Sequence, residues 1–305
     1  MSALLVAALA ALVVGSFAAA LWAKRKRPRL ASVVAGNLPR RVAEAARALV
    51  TADAWVPATA AGAPDGAAGV EAALIAGTAA KALAAAEAVV AAAPEAAAPR
   101  LWLAWALCAS AEPGAAVVQL ETARGLTGAT DLARDPLALY VEARAMHLAF
   151  ERATGSSALG PVPPLITPGD LAIVTLAGAK GGAAWLSGAE EAQVSPEDVS
   201  AAMAQHRAAT AAGLAMALDA LEHAPGFADA AYLAARLAVK AGALREARAL
   251  FAAVAGRMTG RPDADSFARD LADLDDPSGA VAAALQPPKA PVAPTAKRSR
   301  SLKVL

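Results

Sequence analysis

Cysteine, histidine and aromatic residues are scarce in this chain of 305 residues. It contains one cysteine, Cys108, and three histidines, and only 4% of its residues are Phe, Trp or Tyr. A single cysteine excludes an intramolecular disulfide framework and fits a reducing compartment. The histidines lie at His147, His206 and His223, a spacing that matches no zinc motif. The pattern therefore predicts no metal site, and we expect no other cofactor.

Motifs typical of enzymes are also missing. The glycine-rich residues 178–182 surround Lys180, but they lack the hydroxyl residue and the spacing of a phosphate-binding loop. Ser156 has no nucleophile-elbow context. The adjacent acids at 190–191 and at 275–276 fall in or beside expected loops, where solvated charge is the ordinary role. We therefore predict no catalytic residue and a protein that is not an enzyme.

Acidic residues are absent from both ends of the chain. Residues 1–41 contain seven Lys or Arg and residues 286–305 contain five, without a single Asp or Glu. The 27 acids therefore lie within residues 42–285 beside 16 basic residues, which gives that part a net charge of −11. Binding of nucleic acid requires clustered positive charge on a folded surface, so we predict no nucleic-acid partner.

One long uncharged apolar run occupies residues 2–23, and its length matches a single crossing of a bilayer. Trp22 stands at its end, where an aromatic side chain favours the membrane interface. The run is followed by a group of basic residues, which we call the basic collar: Lys24, Arg25, Lys26, Arg27 and Arg29. This order predicts a transmembrane anchor whose collar contacts anionic lipid.

Two questions about this segment stay open at this stage. A cleaved signal peptide or a buried core helix are the alternatives to an anchor, although no basic residue precedes the run as in a signal peptide. The positive-inside rule predicts a single-pass protein of the inner (cytoplasmic) membrane, with its N-terminus outside and its body in the cytoplasm. The alternative orientation places the body in the periplasm.

The remainder is rich in alanine and predicts an all-α fold. Hydrophobic residues make up 57% of the chain, mostly as alanine, which favours helices. Breaks rich in Pro and Gly divide it into predicted units. In order, these are residues 24–69 (basic collar, short helix and linker), 70–154 (a degenerate helical-repeat block of two helix pairs), 155–196 (an irregular insertion), 197–285 (a second helical-repeat block) and 286–305 (a basic, Pro-rich tail expected to be disordered).

The clearest internal motif is a predicted helical pair within residues 227–257. Tyr232 lies ten residues before Gly242, where a positive φ would end the first helix. Ala247 follows that glycine by five residues and Phe251 comes four later. This spacing of an aromatic, a glycine, a small residue and a bulky residue resembles a tetratricopeptide repeat.

The pair departs from that family in two places. Ala231 occupies the position where the family usually has a large side chain, and the closing proline comes late, as Pro262. We expect the motif residues to pack the repeat: Tyr232, Leu237, Gly242, Ala247 and Phe251. Because an amphipathic pair cannot bury both apolar faces alone, it needs neighbours of the same kind. The expected body is a helical array.

The resemblance implies that the array binds protein or peptide partners in its concave face. We therefore expect a membrane-anchored interaction scaffold, with a structural or assembly component of a cell-envelope complex as the alternative. Trp185, in the insertion, is the candidate for partner contact. Trp102 and Trp105 are expected to pack in the core.

Overall fold

A computed structural model describes residues 37–60, 62–127, 132–153, 196–259 and 264–276. These residues form ten α-helices and no strand, which confirms the predicted all-α class. The helices are α1 (Leu38–Thr51), α2 (Ala67–Ile75), α3 (Ala79–Ala92), α4 (Ala97–Ala109), α5 (Pro113–Thr127), α6 (Pro136–Ala153), α7 (Pro196–His223), α8 (Ala228–Lys240), α9 (Leu244–Met258) and α10 (Ala264–Asp275). A short 3-10 helix, Pro57–Thr59, lies between α1 and α2.

Local sequence explains where several helices begin and end. The apolar stretch at 70–92 forms two helices, because Gly77 adopts a φ of +66° between α2 and α3. The Thr78 hydroxyl donates a hydrogen bond to the carbonyl of Ala73 at 3.0 Å and satisfies the end of α2. Asp135 caps α6, since its Oδ1 accepts a hydrogen bond from the Ala138 amide at 2.8 Å.

The helices pack mostly against their neighbours in sequence. Helices α2 to α10 each contact the next helix along the chain, and α2, α4, α6 and α8 also contact one another in that order. Helices α6 and α7 pack together although residues 154–195 separate them in the sequence. The packing of the described helices is consistent with the predicted helical array.

Helix α1 does not pack against its neighbour in sequence. It packs against α7, α8 and above all α9, at the far end of the array. Its buried face is made of four side chains at helical spacing, Leu38, Val42, Ala46 and Leu49. The beginning and the end of the described chain are thus held together.

An aromatic cluster joins segments that are distant in the sequence. The ring of Trp105 lies 5.8 Å from that of Tyr140 and 6.4 Å from that of Phe227, both edge-on. Trp102 lies 5.4 Å from Trp105, and Trp55 lies 4.7 Å from Phe227. Trp102 and Trp105 are buried, as the core interpretation predicts. The cluster binds α4, α6 and the α7–α8 turn to the segment after α1.

No helix in the described part of the chain is long and apolar enough to cross a bilayer. Four predicted features lie outside the described residues: the anchor at 2–23 with Trp22, the basic collar, Trp185 with most of the insertion, and the tail at 286–305.

Candidate interaction groove

An open groove of about 700 Å³ runs between α1 and α9. We call it the α1–α9 groove. Its lining comes from four residues of α1 and five of α9: Ala43, Ala46, Arg47, Val50, Arg245, Glu246, Ala249, Ala252 and Ala253. Five of these nine are alanines, so much of the groove lining is small and apolar, and we call these alanines the floor of the groove.

Larger side chains border this floor. The side chain of Val50 is 70% exposed. Arg47 comes from α1 and Arg245 from α9, so each helix contributes one guanidinium to the lining. Glu246 supplies the one acidic group among the lining residues. The groove is therefore apolar in its floor and mixed in charge, with an excess of positive charge.

Ion pairs fix the first half of α1 on the array. The Arg41 guanidinium lies 2.6 Å from Asp219 Oδ1 and 2.7 Å from Glu222 Oε1, near the end of α7. Partial burial opposes the charge on Arg41, but the hydrogen bonds that it donates to both carboxylates outweigh this effect and raise the pKa of the guanidinium. Arg41 therefore stays charged and holds α1 beside α7.

The second half of α1 is held by a single arginine of α9. Arg257 donates hydrogen bonds to the carbonyls of Leu49, Ala52 and Gly226, at 2.9, 2.6 and 3.0 Å. These carbonyls belong to the end of α1 and to the α7–α8 turn. One side chain therefore satisfies backbone groups that would otherwise be left at a helix end and a turn.

The segment after α1 makes an unusually close contact with the α7–α8 turn. The Trp55 amide donates a hydrogen bond to the Gly226 carbonyl at 3.2 Å. A Cβ atom at Gly226 would lie 1.7 Å from the Asp53 carbonyl oxygen and 2.7 Å from the Trp55 nitrogen. Glycine is thus required at 226 by the approach of another backbone. This contact holds the segment after α1 against the α7–α8 turn.

A buried polar cluster lies between α6, α8 and α10. Asp270 pairs with the Arg236 guanidinium and accepts a hydrogen bond from the Tyr232 hydroxyl at 2.8 Å. Arg236 also lies 3.8 Å from Glu151, whose Oε1 is 2.9 Å from His147 Nε2. These five residues define the cluster, and all of them are buried. Among the described residues, a cavity of about 10 Å³ next to His147 has room for no more than a water.

Burial and charge act in opposite directions on the groups of this cluster. Burial lowers the pKa of His147, although Glu151 pulls the other way. Burial alone would raise the pKa of Glu151, but the charge and hydrogen bond of His147, with Arg144 and Arg236, lower it to about 2. The attraction of Asp270 raises the pKa of Arg236 in spite of its burial. Near neutral pH the Glu151 carboxyl is therefore ionised.

The residues of the repeat motif come together in α8, α9 and the turn between them. Tyr232, Leu237, Ala247 and Phe251 are buried, and Gly242 adopts a φ of +81° after the end of α8. The Tyr232 ring lies 6.0 Å from Phe251 and 5.6 Å from Phe267 of α10, edge-on in both cases. Ala231 is also buried.

Other candidate residues occupy ordinary positions. Cys108 is buried in α4, and burial raises the pKa of its thiol to about 12, so it is a small core residue. His223 is exposed at the end of α7, and the Asp275–Asp276 pair is exposed at the end of α10. No group of three or more His, Cys, Asp or Glu side chains in the described ranges could hold a metal ion.

Sequence reasoning missed both the groove and the buried polar cluster. The sequence contains a pattern that could have indicated the cluster. His147 and Glu151 stand four residues apart within an otherwise apolar helix face, and so do Tyr232 and Arg236. No such pattern indicates the groove, since it depends on where α1 packs.

No protein-family model, curated protein sequence or solved structure matches this chain significantly. The groove is therefore interpreted from its own shape and chemistry.

Proposed function

We propose that this protein is a membrane-anchored scaffold whose tetratricopeptide-like helical array docks partner proteins. The observation that carries the proposal is the open α1–α9 groove, with its alanine floor and its exposed Val50. Covering these alanine and valine side chains with another apolar surface removes them from water, which is favourable.

The tetratricopeptide-like assignment draws on two features of the array. Helices α2 to α9 pack as successive pairs, and the first helices of the pairs contact one another. The turn of the last pair uses Gly242 with a positive φ and buries Tyr232 against Phe251, the residue types that this family uses. The docking site proposed here differs from the concave face that the family resemblance implies, because α1 is an addition to the pairs.

The groove suits a helix of a partner protein. Alanine floors let a second helix approach closely, and apolar anchors at positions i, i+3 and i+4 of that helix would cover them. Val50 offers an anchor of its own to such a surface. Arg47 and Arg245 favour acidic residues on the flanks of the incoming helix.

We further propose that the segment 2–23 anchors this body to the inner membrane, with the basic collar on the cytoplasmic side. Both features are read from the sequence. On this proposal the protein works by binding and performs no catalysis, and its partners are proteins or peptides together with membrane lipid. The partner pool then consists of cytoplasmic and membrane-associated proteins.

Site-specific photo-crosslinking tests the docking proposal in cells. A photoreactive amino acid at Val50 places the probe in the groove, and the same probe at Val118 provides the matched control. Val118 is 60% exposed on α5, away from the groove lining. We expect a discrete adduct with another protein from position 50 and none from position 118. Equal adducts from the two positions, or no protein adduct from position 50, would contradict the proposal.

A further inference from the structure

Helix α1 runs in the same direction as the end of α7. Arg41, in the first turn of α1, pairs with Asp219 and Glu222 of α7. Beyond the end of α1, the Trp55 amide donates a hydrogen bond to the carbonyl of Gly226, which follows the end of α7. The contacts advance along both segments together, so these two helices are parallel.

Helix α9 runs in this direction too. Short turns join α7 to α8 and α8 to α9, and the helices packed at each turn are antiparallel. Two reversals make α9 parallel to α7 and to α1. In agreement with this, Arg257 near the end of α9 donates hydrogen bonds to the carbonyls of Leu49 and Ala52 at the end of α1. The α1–α9 groove thus has an N-terminal end, where both helices begin, and a C-terminal end, where both finish.

The basic groups of the groove lining lie toward its N-terminal end. Arg245 is the second residue of α9, and the side chain of Arg47 is expected to lean toward the start of α1, as long helical side chains do. Val50, Ala252 and Ala253 line the C-terminal end and carry no charge. The groove therefore changes from basic to uncharged along its length.

Neither of these arginines has an ion-pair partner within the described part of the chain. Arg40 of α1 and Arg248 of α9 each pair with a carboxylate, whereas Arg47 and Arg245 pair with no described residue. Glu246 contributes one negative charge to the same end, which leaves an excess of one positive charge. The first turns of α1 and α9 add the partial positive charge of helix N-termini.

We propose that the groove selects a partner helix of one orientation, antiparallel to α1 and α9, with acidic residues in its last turn at the N-terminal end of the groove. The carbonyl groups at the end of a helix carry partial negative charge, and acidic side chains add to it. Arg47 and Arg245 stabilise that end of the partner, whereas the opposite orientation brings a positive helix N-terminus against them. This inference rests on the proposed function and specifies the partner of the same groove.

A second copy of the chain is a poorer occupant. A symmetric pair would bring the same groove surface against itself. Arg47 and Arg245 of each copy would then face an excess of positive charge, which is unfavourable. Charge complementarity therefore favours a different protein with an acidic helix end.

Two synthetic peptides test the selection on the full chain in a nonionic detergent. Each has about 14 residues, longer than the groove, with leucine and alanine on one face, neutral ends and a hydrocarbon staple that keeps it helical. One carries glutamates in its last turn and the other carries the same glutamates in its first turn. By fluorescence anisotropy at low salt, we expect the first peptide to bind at least about threefold more tightly. Equal affinities, the reverse order or no binding of either peptide would overturn the proposal.

Substitution of the two arginines tests the cause of this preference. We expect Arg47→Gln combined with Arg245→Gln to reduce the ratio of the two affinities. Arg248→Gln is the matched control, because Arg248 is exposed on the same helix but pairs with Asp275 and does not line the groove. A preference that survives in the double variant, or that falls as much in the control, would show that the groove arginines do not select the helix end.

A thiol at the C-terminal end of the groove reports the orientation directly. Val50→Cys supplies it, Val118→Cys is the control, and Cys108 is retained because it is buried and its thiol is protonated. The acidic-ended peptide carries a chloroacetyl group at its first or at its last residue. We expect Val50→Cys to react several-fold faster with the first form, since bound groups have a higher effective concentration, and Val118→Cys to react equally with both. Equal rates at position 50 would reject the orientation.

The outcome is separable from that of the proposed function. A protein adduct at Val50 in cells, together with peptides that bind equally well, would keep the docking role and reject the selection of one orientation. Preferred binding of the acidic-ended peptide without any protein adduct at Val50 in cells would keep the selectivity of the groove and reject the docking role.

Discussion

The side chain of Asp270 has no exposed surface and contacts three side chains at once. Tyr232, Arg236 and Arg269 all donate to its carboxylate. Removing one partner of a buried ion pair leaves an uncompensated charge, whereas exposed pairs contribute little. Asp270 and Asp275 lie on the same helix, but the ion pair of Asp270 is buried whereas Asp275 pairs with Arg248 at the surface.

This difference gives a matched pair of variants. We expect Asp270→Ala to lower the free energy of unfolding by about 3–5 kcal/mol, because Arg236 would remain buried without its main counter-charge. Asp275→Ala should cost less than about 1 kcal/mol. Urea unfolding followed by circular dichroism measures both. Similar losses for the two variants would mean that the buried ion pair contributes no more than a surface pair.

Because the pKa of Glu151 is lowered in the folded protein, the free energy of unfolding depends on pH in the acidic range. Its carboxyl has a pKa of about 2 in the folded protein against 4.5 ordinarily, so its contribution is complete above pH 4.5 and is lost as the pH falls toward 2. The contribution is on the order of 3 kcal/mol, from the size of that difference. We expect the free energy of unfolding of Glu151→Gln to change less between pH 4.5 and 2 than that of the original chain. Parallel profiles for the two proteins would exclude Glu151 as the cause.

His147 acts in a different range of pH. Burial lowers its pKa in the folded state, so an unfolded chain takes up a proton on this imidazole more readily than the folded one. Stability should therefore begin to fall as the pH drops below 6.5, the ordinary value for histidine. We expect His147→Gln to remove this part of the acid dependence and also to weaken the part below pH 4.5, because the Glu151 carboxyl then loses the partner that lowers its pKa most. Chemical unfolding at pH 7.5, 6 and 5 measures it.

Among the described helices, α1 is the one that does not pack against its neighbour in sequence. Its place depends on Arg41 at one end and on Arg257 at the other. The contact of residue Gly226 with the backbone of Asp53 then fixes the segment that leaves it. Substitutions at these contacts should therefore displace α1 from the helices on which it packs.

Gly226→Ala is the sharpest of these changes. The added methyl group would meet the Asp53 carbonyl oxygen, so the segment after α1 has to move, at a cost of about 1–3 kcal/mol. Hydrogen exchange should become faster in α1 than in α4. Gly256→Ala is the control, because a Cβ at Gly256 in α9 has nothing within 4 Å and should stabilise the helix by about 0.5–1 kcal/mol. Unchanged exchange in α1 of Gly226→Ala would show that this contact does not hold the helix.

At the scale of the whole molecule, the order of charges along the chain predicts its orientation in the membrane. The basic collar follows the apolar run directly, and the net charge of residues 42–285 is −11. Lys and Arg near a membrane span remain on the cytoplasmic side. The body should therefore lie in the cytoplasm.

Reporter fusions after Leu305 measure this orientation. A reporter that fluoresces only in the cytoplasm should be active, and one that is active only outside should be silent. Replacing the five collar residues with glutamine should shift part of the population to the opposite orientation, because the charge bias is then removed. Activity of the outside reporter on the unaltered chain would place the body in the periplasm and favour the envelope-assembly alternative.

Much of the fold could be predicted along the chain because its determinants are local. Alanine content and helical periodicity predict an all-α body, and Asp135 and Pro136 mark the start of α6. Gly77 shows the limit of this approach, since an isolated glycine within an apolar run permits either a continuous helix or a break. The local packing of Val70, Ala82 and Ala86 into the core decides for two helices.

The candidate site could not be predicted in the same way. Ala43, Val50 and Ala249 carry no signal of binding, because alanine and valine are ordinary helix and core residues. They line a groove only because Arg257 and Gly226 bring α1 onto α9, across nearly the whole described chain. By itself the sequence determined the helical class, the charge distribution and the spacing around Gly242, which depend on neighbouring residues. Only the tertiary structure decided the groove and the buried polar cluster, because both are made of side chains that meet across long sequence separations.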